Sequence, residues 1–218
     1  MILKNQVIIF CYSLLFTGYV LLSIASNEYV CLYNKCSPKS GYEPFERKIL
    51  WNEKYIRISH NCYAFALNNI NLNLKNICKN KFCRGVFPQP GHFCNSSLKL
   101  QTCFQLKKRI VCDNPNIYEI DFKTKCKRNF YKIGFATNNN SYYHFYRQNR
   151  NGLWLHKDAS RKISKYDASK NLIINPRLAD RNYDKIRNYV DWCSFMCVPS
   201  NDFIKTNMTR LKNGNPLY

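Results

Sequence analysis

The sequence predicts an α+β domain in which one helix, carrying Cys62 at its start, packs on an antiparallel sheet carrying two histidines. A disulfide-rich insertion separates the two. Three observations predict this. A capped apolar segment opens near Ser59, three alternating segments joined by Asn-rich turns run between 130 and 158, and the cysteines between them are dense. With 218 residues, 45% hydrophobic and 15% aromatic, the chain can build one core, and global disorder is excluded. Only 7 glycines are present, with no GxGxxG and no phosphate-loop motif, so Gly-rich nucleotide-binding designs are excluded.

The elements follow in chain order. Residues 1–25, MILKNQVIIFCYSLLFTGYVLLSIA, place Lys4 before an apolar stretch, with Ser23 and Ala25 at −3 and −1 of a cleavage site. This is the pattern of a secretory signal peptide. An uncleaved signal anchor is the alternative, because the stretch approaches the ~20 residues that span a bilayer. Either way the expected location is secreted or secretory-lumenal. Residues 26–58, with Pro38, Gly41 and Pro44, read as an irregular lead-in. The main domain is expected over 59–199. Ser59 or Asn61 caps a helix over 59–75, with Ala64, Phe65 and Leu67 as its apolar stripe. Residues 76–128 read as an irregular cysteine-stapled insertion whose basic runs, such as Lys107-Lys108-Arg109, face solvent. Strands are expected at 130–137, 142–148 and 153–158, an antiparallel meander turning at NNNS and NRNG. Residues 177–189 read as a short charged helix, 189–199 as a closing strand, and 200–218 as a polar tail.

The cysteine count isolates one thiol. Of 12 cysteines, Cys11 lies in the signal. Cys62 stands apart from the other ten, which cluster at 31/36, between 78 and 126, and at 193/197. Five disulfides among those ten leave Cys62 free, with connectivity open. CxxxxC and CxxxC spacings occur, but no second ligand pair follows at finger-like distance, so neither metal nor cofactor is expected.

Three residues form a chemical constellation. A thiol at a helix N-terminus beside an imidazole can lose its proton near neutral pH. His144 and His156 fall on neighbouring strands. The odd-length loop Arg150-Asn151-Gly152 places both on one sheet face. A base within reach of the thiol, oriented by a third polar group, is the arrangement of nucleophilic catalysis. His60 reads as a surface group. Gln89 and His92, at the turn QPGH, are weaker substrate-contact candidates, and the Cys62 backbone N–H is the better oxyanion donor.

NCYAFAL (61–67) and YHFYRQNRNGLWLHK (143–157) resemble the papain-like cysteine hydrolases, in the branch of the NlpC-type bacterial cell-wall endopeptidases. That branch runs Cys on a helix N-terminus, His at a strand start, then a third polar residue on the next strand. The resemblance covers about residues 59–75 and 130–158. The chain has NCYA where the branch has DCSG. The resemblance implies a papain-like fold with Cys62 as nucleophile, His144 as general base and acid, and His156 as the orienting residue. The implied reaction is peptide, amide or ester hydrolysis through an acyl-enzyme, or acyl transfer to another acceptor.

Charge supports a reading from another class. Lys+Arg 34 against Asp+Glu 13 gives a formal net charge of +21. Such a chain is drawn to polyanions. The alternative is therefore a basic, disulfide-rich secreted binding protein for acidic glycans or anionic membrane surfaces, with a silent triad. Aromatics interleaved with Arg147 and Arg150 suit base stacking, but a secreted disulfide-bonded chain argues against nucleic acid. Sequons at Asn95, Asn139 and Asn207 are glycosylation candidates, although a chain with 28 Asn and 20 Ser+Thr in 218 yields about as many by chance.

Overall fold

The computed structural model describes residues 29–32, 35–83, 87–96, 102–138 and 141–200. The expected signal segment, the tail beyond Ser200, and the sequons at Asn139 and Asn207 lie outside them. The chain folds as α+β. A two-stranded hairpin, β1 (Tyr29–Leu32) and β2 (Lys35–Pro38), comes first. Helices α1 (Lys48–Asn52), α2 (Lys54–Ser59), α3 (Cys62–Ala66), α4 (Leu72–Asn80) and α5 (Cys103–Asp113) follow. The main sheet holds β3 (Tyr118–Ile120), β4 (Phe130–Asn138), β5 (Tyr142–Gln148), β6 (Trp154–Lys157), β7 (Ile163–Ser164) and β8 (Asp191–Pro199). Its order is β3-β8-β4-β5-β6-β7, and every pairing is antiparallel.

The expected meander and closing strand are present, with β8 inserted beside β4. Other expectations need correction. The helix over 59–75 is two helices. The Asn61 side chain caps α3 by accepting from Ala64 N at 3.0 Å, whereas Ser59 closes α2. Asn68, in the left-handed region at φ 51°, ends α3, with Asn68 N–H donating to Phe65 O and Asn69 N–H to Ala64 O. That paired closure is the Schellman arrangement, and asparagine tolerates the position it requires. The lead-in is structured, holding the hairpin, α1 and α2. The insertion holds α5, capped by Thr102, whose side chain accepts from Gln105 N. Arg109 of the basic run is buried. Residues 177–189 form turns rather than a helix. There the Arg181 guanidinium donates to the carbonyls of Pro176, Arg177, Ala179, Tyr189 and Val190, holding the segment by main-chain contacts instead of a helical ladder.

The sheet is covered on both faces. One face sends Tyr131, Ile133 and Phe135 of β4, Phe145 of β5, and Met196 and Val198 of β8 against α3 and α5. Leu155 of β6 packs on Trp51, Ile56 and Phe65. On the other face Tyr146, Trp154 and Phe195 pack on Ile173 of the long 165–190 segment. Gly134 permits this layer to close, because a Cβ there would lie 2.5 Å from the Trp192 ring.

Ten cysteines pair as Cys31–Cys36, Cys78–Cys83, Cys94–Cys112, Cys103–Cys193 and Cys126–Cys197, and Cys62 is free. The last two bridges tie α5 and the β3–β4 connection to β8. Closing loops with sequence separations of 90 and 71 residues removes about 4–5 kcal/mol of unfolded-chain entropy each in the chain-entropy picture. Five bridges fit an oxidising extracellular environment. No helix among the described residues is long and apolar enough to cross a membrane.

Candidate functional site

The thiol and the two histidines pack among different neighbours. Cys62 opens α3 and is 5% exposed, within the apolar cluster that includes Tyr63 and Phe145. The β5 pleat sends Phe145 into that cluster and His144 to the other face. There the His144 ring stacks on Tyr189 (4.7 Å between centroids, 14° between planes) and meets the edge of Tyr146. The face of β5 that takes the helix is therefore the Phe145 face. Cys62 meets the strand at its main chain, where the Phe145 N–H acts on the sulfur.

His144 and His156 stand side by side, as the odd-length loop predicts. His144 Nε2 and His156 Nδ1 are 2.8 Å apart. The network assigns the tautomers. His156 Nε2 lies 3.0 Å from the Tyr166 carbonyl, which only accepts, so Nε2 carries the proton. The Nδ1 of a neutral His156 then accepts from His144 Nε2–H. That leaves His144 Nδ1 as a bare lone pair, buried and without a hydrogen-bond partner among the described residues. No hydrogen bond joins it to the thiol.

Burial dominates the electrostatics. It pushes the Cys62 thiol up to about 12, outweighing the opposing influence of the Phe145 N–H. His144 is held well below its ordinary value by burial, then by His156 and Arg187. Burial also lowers His156, against the Tyr166 carbonyl. At neutral pH the group is a neutral thiol and two neutral imidazoles. Tyr183 and Tyr189 cover the pair, with the Tyr183 hydroxyl 3.3 Å from His156 Nε2. Arg187 fastens this cover by bridging Asp158 at 2.6 Å and Asp184 at 2.5 Å.

The remaining candidates are spread around this group. Gln89 accepts from the Tyr143 hydroxyl, at the margin of the α3 cluster. His92 is half-buried, edge-on to Phe87 and Phe93. Asn95 is exposed, in the left-handed region at φ 55°. His60 is not a surface group. It is fully buried, accepting from Asn71 N at Nε2 (2.8 Å) with Ser59 Oγ 2.7 Å from Nδ1. The reason is the bend between α2 and α3, which turns residue 60 inward against Trp51.

Sequence reasoning missed three interior groups. Lys157 alternates with His156, so it points to the helical face, where its ammonium donates to the carbonyls of Arg57, His60 and Ala159. Burial lowers it to about 7. Arg147 is fully buried, 4.0 Å over the Phe65 ring, donating to the carbonyls of Phe65 and Phe45 and to Asn68 Oδ1. Asp113 accepts from Gly91 N, Phe93 N and the Tyr63 hydroxyl, fixing the QPGH turn to α5 and α3. The strand alternation held the signal for the first two, since Arg147 and Lys157 share the inward parity of Phe145 and Leu155.

Among the described residues, no group of His, Cys, Asp and Glu is placed to hold a metal ion. No family model and no solved structure matches the chain. Over 143 residues the chain is 28% identical to insoluble matrix shell protein 1 of Ruditapes philippinarum, an alignment that spans 65% of this chain and 83% of that protein.

Proposed function

We propose that this chain is a secreted, basic, disulfide-stapled binding protein of an acidic extracellular matrix, and that its Cys62–His144–His156 group is held closed and silent. The observation that carries the reading is that closure: Cys62 is 5% exposed, His144 1% and His156 5%, with the thiol pushed to about 12. A nucleophile needs thiolate and access. The formal charge of +21 supplies attraction to acidic polymers. The similarity to a shell-matrix protein supports the same reading. The test is binding of the native protein to heparin and to hyaluronan across a salt series. Binding that is firm at low salt and gone by about 1 M, where screening acts within ~3 Å, is expected. Absence of binding at low salt would overturn the reading.

A second reading has a specific observation behind it: the free thiol beside the strand that presents His144 Nδ1 as an unpartnered base. On this reading the domain is a papain-like thiol hydrolase or acyltransferase. His144 takes the Cys62 proton, the thiolate attacks an amide or ester carbonyl, and the imidazolium protonates the leaving group. Water or another acceptor then releases the acyl group. It requires the thiol to meet Nδ1. Covalent trapping of Cys62 by a peptide electrophile, abolished by His144→Ala with the fold intact, would support it. Absence of any trapping would eliminate it.

A further inference from the structure

The attraction of the whole surface does not say where an acidic polymer would be read. One cleft has the chemistry for it. About 270 Å3 in volume, it lies between the β2–α1 connection, the turn after α3 and the β5–β6 turn, lined by Tyr42, Phe45, Arg47, Asn68 and Arg150 among others. That is below the ~300–1,000 Å3 of sites for drug-sized ligands, so it suits one unit of a longer polymer.

Of its two arginines, Arg47 is exposed at the lining and Arg150 is held in place. The Arg150 guanidinium rests 4.4 Å over the Phe45 ring, and Arg150 N donates to Pro44 O. Arg147 lies behind the same wall, donating to Phe45 O and Asn68 Oδ1. With its Oδ1 so engaged, the Asn68 amide presents N–H donors. Lys39 reaches the Arg150 carbonyl at 3.4 Å, adding a further cation at the rim. Two acids are near. Glu43 lines the cleft, but Oε1 accepts from Ser40 N and Oγ, and Oε2 from Gly41 N at 3.0 Å. Glu46 acts on Arg147. Arg47 and Arg150 thus face the cleft with Lys39 beside them, against Glu43, which is already engaged, and Glu46.

Resting on the matrix-binding reading above, we infer that this cleft binds one acidic sugar unit of an extracellular polysaccharide, its carboxylate or sulfate ester held between Arg47 and Arg150. Guanidinium forks match oxyanions with paired N–H donors, which a lysine ammonium does not reproduce. The exposed parts of Phe45, Tyr42 and Pro44 give the C–H face of the sugar ring a small apolar wall within a mostly polar lining, and Asn68 gives its hydroxyls a donor. An acidic peptide has the charge but no rigid apolar ring to use that wall.

The test uses the full secreted chain and three probes: a hyaluronan oligosaccharide (carboxylate alone), a chondroitin sulfate oligosaccharide (carboxylate and sulfate) and polyaspartate. Affinity is measured calorimetrically for wild type, for Arg47→Lys/Arg150→Lys, which keeps the charge, and for Lys108→Ala/Lys185→Ala, which removes two exposed charges elsewhere, on α5 and in the 177–189 turns. The Arg-to-Lys variant is expected to weaken sugar binding by about tenfold, the worth of one charge-assisted hydrogen bond. The distal variant should change it by under about threefold. Equal affinity for both sugars assigns the carboxylate, and preference for the chondroitin probe assigns the sulfate. A distal variant as damaging as the Arg-to-Lys one overturns the cleft while leaving polyanion binding intact. Tighter binding of polyaspartate than of either sugar overturns the sugar assignment. A wild type that binds nothing overturns the matrix-binding reading, and the cleft with it.

Discussion

Alkylation of Cys62 by iodoacetamide separates the closed state from a working thiol. The thiol rises from 9.0 to about 12 in the fold. Each unit is worth ~1.4 kcal/mol between protonation states, so three units mean about a thousandfold less thiolate at every pH below 9. Access compounds this, since 5% of the residue is exposed. In native protein without reductant, labelling between pH 7 and 9 is expected to run at least a thousandfold slower than in the same protein unfolded in urea. The linked stability has a definite sign. The unfolded thiol ionises near 9 and the folded one near 12. Between those values the unfolded state holds fewer protons, and stability falls with rising pH by up to ~1.4 kcal/mol per unit. Cys62→Ala removes that part of the alkaline slope. Mass spectrometry of labelled peptides, with denaturant melts from pH 8 to 10, reads both effects. Labelling at pH 6 as fast as in the unfolded chain would refute the reasoning. It would mean a thiolate–imidazolium pair with His144 and would return the hydrolase reading to first place.

Three further outcomes follow from the same geometry. Asn61→Ala removes the α3 cap and the Nδ2 donor to Pro88 O at 2.6 Å, and should cost about 1–2 kcal/mol in urea melts; an unchanged midpoint would remove the cap from the account. His60 is lowered from 6.5 to about 4, by burial first. Its contribution is complete above pH 6.5 and is lost as pH falls toward 4, at up to ~1.4 kcal/mol per unit. His60→Gln should flatten that acid limb, and identical acid limbs would contradict the assignment. Cys103→Ala/Cys193→Ala opens the bridge with the longest sequence separation, 90 residues. It should lower stability by roughly 2–5 kcal/mol, more than Cys78→Ala/Cys83→Ala, whose separation is 5; the reverse order in thermal melts would count against the entropy argument.

Strand parity was legible in the sequence because the side-chain period of a strand is local. FYKIGFAT, YYHFYRQ and LWLHK alternate cleanly around short Asn-rich turns, and this alone put His144 beside His156. With Cys11 set aside in the signal segment, the eleven remaining cysteines likewise singled out Cys62, and Asn61 was readable as a cap because a cap acts three residues ahead. The readings that failed were long-range. His60 looked exposed because nothing near it announces the bend between α2 and α3. Residues 177–189 carry helix-compatible charges, yet Arg181 draws them onto carbonyls supplied by the folded loop. Parity also placed Arg147 and Lys157 inward, against the usual cost of a buried cation. Only the assembled helices and loops supply the carbonyls that offset it.

The sequence by itself determined the local facts: an α+β pattern, a meander with paired histidines, one unpaired thiol and a strong positive charge. These follow from periodicity, capping and counting, all set within a few residues. The tertiary structure decided which face of β5 receives α3, which cysteines pair, and that Tyr189 closes over His144. It also gathered Arg47 and Arg150, 103 positions apart in the chain, around one cleft. Those outcomes depend on contacts between distant segments, where burial overrides local preference. The same burial leaves Cys62 protonated where its position at a helix start alone would have activated it.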